Sequence, residues 1–73
     1  MEWTVIFHVA EEGGYWAEVP SLPGCYSQGE TMEEAVANIR DAIESHLEAL
    51  SDEGKEIPKE KLFMVGTVEV VKV

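Results

Sequence analysis

Apolar and polar positions alternate from the start of the chain. In EWTVIFHVAE, residues 2–11, the side chains of Trp3, Val5, Phe7 and Val9 share one side. A period of two rich in β-branched and aromatic types predicts a strand. Glu12-Gly13-Gly14 then predicts a turn, and Tyr15, Ala17 and Val19 form the apolar side of a second strand. Pairing Val9 with Ala17 keeps both apolar sets on one face and leaves a three-residue loop, with glycine where positive φ is needed. A slip of one residue would put Glu18 under the core beside Phe7, so that register is disfavoured.

Pro20-Ser21-Leu22-Pro23-Gly24 breaks the alternation, because proline cannot donate to a ladder and Pro-Gly favours a tight turn. A short third strand is expected over Cys25–Gln28, with Gly29 turning the chain toward a helix. Thr31 is a suitable N-cap, and Glu34 three residues later completes a capping box. Met32, Ala35, Val36, Ile39, Ala42, Ile43, Leu47 and Leu50 recur at helical spacing, and Gly54 is a stop. The implied helix of about 20 residues is about 30 Å long. Lys55–Lys61 reads as a charged loop containing Pro58. The valine-rich stretch 62–73, LFMVGTVEVVKV, reads as a final strand.

The expected fold is therefore α+β, a single domain over residues 1–73 in the order β-β-β-α-β. A right-handed crossover from strand three through the helix places the last strand beside the first. This gives a four-stranded mixed sheet of order 3-2-1-4, with the long helix on one face and the other face uncovered.

Charge narrows the possible partners. Fifteen acidic residues oppose five basic ones, for a net charge of −10. Nucleic-acid affinity comes largely from Lys and Arg at phosphates, so direct DNA or RNA binding is not expected. A basic protein is the better electrostatic match, although acidity also serves solubility. At 73 residues the core is small, and self-association, most simply as a dimer, would supplement it. The N-terminus carries no positive leader and no apolar run long enough for a membrane span, so a cytoplasmic protein is expected.

The residues offer little catalytic chemistry. One cysteine excludes an internal disulfide, and no HxH, HxxxH or CxxC spacing suggests a metal, so no cofactor is expected. Glu33 and Glu34 are helix-start carboxylates rather than an acid–base pair. Cys25 reads as a small core residue, and His46 as a helix residue favoured by the dipole. Gly13-Gly14 belongs to the hairpin and not to a phosphate loop.

The residues pointing away from the helix are more informative. Ile6, His8, Ala10, Trp16 and Glu18 share the open face, joined by Tyr26. Cross-strand packing alone could place aromatics there, but an exposed apolar surface with one acid suits a partner interface. The final strand, as an edge blunted only partly by Glu69 and Lys72, is a second route to association. Glu44, Glu48, Asp52 and Glu53 crowd the helix's C-terminal half, where the dipole disfavours negative charge. Glu44 and Glu48 therefore mark a second, electrostatic candidate surface.

Tyr15-Trp16-Ala17-Glu18-Val19-Pro20, Leu22-Pro23-Gly24-Cys25, Gly29-Glu30-Thr31 and Glu33-Glu34-Ala35 together closely resemble the signature of HicB-like antitoxins. The resemblance covers residues 1 to about 50 and, by topology, the last strand. It implies a partial RNase H-like fold without nuclease activity. The absence of a mid-strand carboxylate between Trp3 and Ala10 agrees with that. It also implies a partner: a small basic HicA-type RNase toxin whose RNA-binding surface and catalytic histidine are covered by the antitoxin. The DNA-binding domain of longer members is not expected in a chain ending at Val73. The alternative function is an orphan self-associating binding module with no toxin partner.

Overall fold

A computed structural model of the chain describes residues 1–61 and 63–71. Three strands and one helix follow in the order β1 (Ile6–Val9), β2 (Tyr15–Glu18), β3 (Tyr26–Gly29) and α1 (Met32–Asp52). The strands form an antiparallel sheet of order β1-β2-β3. The helix packs across β3 and β2.

Hairpin parity is as expected, but the register differs. Phe7, not Val9, lies opposite Ala17, and Val9 faces Tyr15. The pairing has slid by two residues, which preserves the face of every side chain because the pleat repeats every two. The loop is still three residues, now Glu11–Gly13, closed by Ala10 N–H to Gly14 O at 3.0 Å and Gly13 N–H to Ala10 O at 3.1 Å. Gly14 has φ +77° and sits against β3, where an added Cβ would lie 2.8 Å from Gly29 O. That double demand selects glycine at position 14. Val9, expected on the covered face, is 79% exposed because it lies at the hairpin end, outside the core around Ala17 and Ile39.

The core consists of Ala17, Val19, Leu22, Cys25 and Ile39, with Trp3, Val5, Phe7, Ala42, Ile43 and Leu47 packed half-buried around it. Cys25 is buried as expected. Leu22 is the surprise: the proline-rich turn folds it fully inside. Leu22 N–H bonds Val19 O at 2.9 Å, and Cys25 N–H bonds Leu22 O at 3.0 Å, making two successive tight turns around that side chain. Gly29 is required by packing, since a Cβ there would meet Ala35 N at 2.5 Å. The helix start can therefore rest directly on β3, where Asn38 Nδ2 donates to Gln28 O at 2.8 Å.

Helix boundaries follow the local signals. Thr31 Oγ1 accepts from Glu34 N–H at 3.1 Å, and the Glu34 carboxylate reaches back to Glu30 N–H at 3.2 Å, one residue beyond the usual capping-box donor. At the far end Gly54 N–H bonds Ser51 O and Lys55 N–H bonds Leu50 O, the paired bonds of a Schellman motif. Only Ala35 and Ile39 of the predicted stripe are buried, and Met32 is exposed.

The fourth strand expected over 62–73 is not formed among the described residues. Residues 63–71 pair with no strand, and Met64, Val65, Val68, Val70 and Val71 are each at least 80% exposed. Alternation made the stretch read as a strand, but strand pairing also needs a neighbour, and in this chain the segment stands off the body. Leu62, Lys72 and Val73 lie outside the described residues, so the expected blunting of that edge by Lys72 does too. The segment before the tail is held in place. Ser21, the one buried polar side chain among those described, donates from Oγ to Glu60 Oε1 at 2.7 Å and accepts from Lys61 N–H at 3.0 Å. The other Glu60 oxygen accepts from Thr4 N–H. These bonds, the Ser21 one foremost, hold the Glu60 carboxyl below its ordinary pKa.

Candidate protein-binding surface

Register places the open-face residues in two rows. Ile6, Glu18 and Tyr26 lie side by side across the sheet, and His8, Trp16 and Gln28 form the next row. Five of the residues singled out from the sequence thus meet on one surface: Ile6, His8, Trp16, Glu18 and Tyr26. The imidazole of His8 stacks on the Trp16 indole at 3.9 Å between centroids with an interplanar angle of 11°. His8 Nε2 also contacts Glu18 Oε2 at 2.6 Å, a diagonal contact across the two rows. Tyr26 lies 6.4 Å from Trp16 at a tilted 48°.

The geometry has a physical consequence. His8 is gripped by the indole on one side and by the carboxylate at its edge, so Glu18 is fixed beside two aromatic rings. A positioned carboxylate with aromatic faces suits a Lys or Arg, which gains both an ion pair and a cation–π contact. Holding these side chains in place before a partner arrives lowers the ordering cost of binding. Tyr26 is 61% exposed and Trp16 37%, so much of this aromatic area is open to contact.

Glu44 and Glu48 are not brought to this surface. They stand exposed on α1, in the layer on the other side of the sheet. Glu44 instead flanks a groove of about 790 Å³ lined by Trp3, Val5, Phe7, Ile39, Ile43 and Leu47. A feature unread in the sequence lies at the hairpin end. Glu11, Glu12, Glu30 and Glu34 surround a groove of about 680 Å³ that adjoins Trp16 and Gln28. Glu11-Glu12 and Glu30…Glu34 were visible as separate acidic pairs, but only the register brings them together.

The catalytic candidates are dispersed. Cys25 is buried among apolar side chains, and that burial pushes its thiol pKa up. Among the described residues no group of three His, Cys, Asp or Glu side chains is placed to hold a metal ion. No helix among them is long and apolar enough to cross a membrane.

Residues 3–68 match the model of a family described as the HicB-like antitoxin of bacterial toxin–antitoxin systems. The chain belongs to the HicB-like antitoxin family. Among similar proteins, a UPF0150 protein of Thermoplasma acidophilum is 43% identical over 60 residues, covering 82% of this chain and 87% of the relative. A UPF0150 protein of Synechocystis is 47% identical over 62 residues, covering 85% and 78% respectively. The crystal structure of the Burkholderia pseudomallei antitoxin HicB superposes with a TM-score of 0.70 at 34% identity. That match covers 92% of this chain but 48% of the HicB chain, so this chain spans about half of that antitoxin's length. For a HicB-like antitoxin the partner in general terms is a toxin.

Proposed function

We propose that this HicB-like protein neutralises a small basic HicA-type RNase by laying the helix-free face of its sheet over the toxin's RNA-binding and catalytic surface. One observation carries the reading: the Glu18 carboxylate held by His8, whose ring stacks on Trp16 with Tyr26 nearby, on a protein of net charge −10. Lysines and arginines that hold RNA phosphates are the side chains such a surface recognises. Trp16 and Tyr26 supply the buried anchors, Ile6 extends the apolar contact, and Glu18 pairs with a basic residue. Glu44 and Glu48 form a second, longer-range attractive surface that steers encounter without being at its centre. The antitoxin itself performs no catalysis, needs no cofactor and acts in the cytoplasm, where its toxin's RNA substrates are. Its β-β-β-α core is a partial RNase H-like fold, and it works as a homo-oligomer, most simply a dimer.

The test is titration calorimetry against a small basic HicA-type protein. The wild-type chain should bind, and Trp16→Ala should weaken binding by about 30-fold or more, as removal of an interface anchor does. Glu18→Gln should weaken it by about tenfold, in the range for a charged hydrogen bond. Circular dichroism should show the helix unchanged in both. Absence of binding by the wild-type chain overturns the toxin reading, and undiminished binding by Trp16→Ala moves the interface to another surface.

A further inference from the structure

Two unsatisfied features of the fold are complementary to each other. The first is the outer edge of β1. Ala10 N–H bonds Gly14 O, so the even-numbered residues of β1 turn their backbone groups toward β2. By alternation Val5, Phe7 and Val9 turn theirs outward, to an edge with no strand beside it among the described residues. Beside that edge runs the groove lined by Trp3, Val5, Phe7, Ile43 and Leu47, the half-covered rim of the core. The second feature is the tail. In MVGTVEVV, residues 64–71, Met64, Gly66, Val68 and Val70 alternate with Val65, Thr67, Glu69 and Val71, so an extended tail has one wholly apolar side. Its methionine and valines are nonetheless at least 80% exposed.

We propose that two copies of this chain exchange residues 63–71, each tail adding a strand to the outer edge of β1 in the other copy and seating Val68 and Val70 in its groove. The proposal rests on the self-association reading above and supplies its geometry. Three observations favour a second copy over the tail's own edge. The root of the tail is held at Ser21 and Thr4 by Glu60 and Lys61, yet from there the described tail stays in solvent. The Cα radius of gyration is 14.8 Å, well above the ~11 Å of a compact chain of this length. Nine extended residues reach ~30 Å, far enough to leave their own body and lie along another. Among the described residues each copy carries a vacant β1 edge beside an apolar groove and an unspent strand, so a twofold exchange satisfies both at once and closes the assembly. Two exchanged strands would bury on the order of 2,000 Å² in total, the size of a stable dimer interface.

The experiment is light scattering on the full chain and on a chain cut after Lys61, followed by isotope-filtered NMR on a mixture of labelled and unlabelled full chains. The full chain should have twice the 8.1 kDa mass of one copy and the cut chain that of a monomer. Contacts from Val68 and Val70 methyls to the Phe7 and Trp3 rings should arise between chains. Should the cut chain fail to fold, the full-length double variant Val68→Asp, Val70→Asp replaces it. It should raise the dimer dissociation constant by about 100-fold or more while keeping its helix. A dimer that survives cutting or the double variant, or tail contacts confined to one chain, overturns the exchange. A full chain that is monomeric overturns self-association itself, and toxin binding is read separately by calorimetry.

Discussion

The two faces of the sheet are built from alternate residues of the same strands and differ in how tightly each residue is constrained. Under α1, Ala17 and Leu22 are fully buried, and Gly29 cannot accept even one carbon without meeting the helix backbone. On the other face His8 holds Glu18 and stacks on Trp16, Tyr26 lies tilted to Trp16, and Trp16 and Tyr26 touch water. The covered face is specified by volume. The open face is specified by chemistry, and a change there should alter recognition more than folding.

The largest expected effect tests the covered face. Leu22→Ala removes a fully buried side chain from a small core and should cost about 3 kcal/mol of unfolding free energy in urea. The same variant should hasten modification of Cys25 by a thiol reagent, because burial keeps that thiol protonated and shielded. Gly29→Ala comes next, at about 2 kcal/mol, through overpacking against Ala35 rather than loss of contact. A normal melting curve for this variant would mean that the faces differ less than the packing implies. Trp16→Ala, on the open face, should lower stability by only about 0.5–1 kcal/mol through lost cross-strand stacking. A loss as large as that of Leu22→Ala would make Trp16 a core residue and erase the distinction.

The smallest effect lies outside both faces, at the root of the tail. Glu60 has its carboxyl pKa lowered by the hydrogen bond from Ser21, with help from Thr4 and Lys61 N–H. A carboxyl lowered on folding adds stability above its ordinary pKa and loses it as pH falls through the lowered value. Attachment of residues 58–61 should therefore loosen in acid, seen as a smaller amide protection factor at Lys61, the exchange rate being taken relative to that of an unstructured peptide at the same pH. Glu60→Gln should show that reduced protection already at neutral pH, with global unfolding little changed because the group is exposed.

What the sequence revealed followed how local the cause was. Thr31, Glu34 and Gly54 act within one turn of themselves, and the helix ends where they indicate. Face assignment was equally legible, since alternation fixes parity and put Ile6, His8, Trp16, Glu18 and Tyr26 together. Register was not, because two adjacent glycines let the loop start one residue earlier while the faces stay the same. The stacking of His8 on Trp16 and the convergence of Glu11, Glu12, Glu30 and Glu34 depend on that register, so they came only with coordinates. Leu22 was hidden by its neighbours: flanking prolines mark a turn, and nothing local says that a turn residue goes inside. The tail had a strand's pattern without a strand's neighbour among the described residues, and no pattern within 62–73 could report that.

The C-terminal half of α1 has Glu44, Glu48 and Asp52, with Glu53 at its C-cap and no basic residue in its last turn, and Lys55 reaches back to Glu53 at 3.1 Å just beyond. These carboxylates repel one another and oppose the helix dipole, a cost borne by the free fold. Dissolved salt screens such repulsion over a length of ~10 Å at 0.1 M. The isolated protein should then grow more stable as ionic strength rises, while its hold on a cationic partner weakens. One helix end thus sets two opposite salt slopes, and the protein gains most from being bound at low ionic strength, where it is least stable alone and its partner holds tightest.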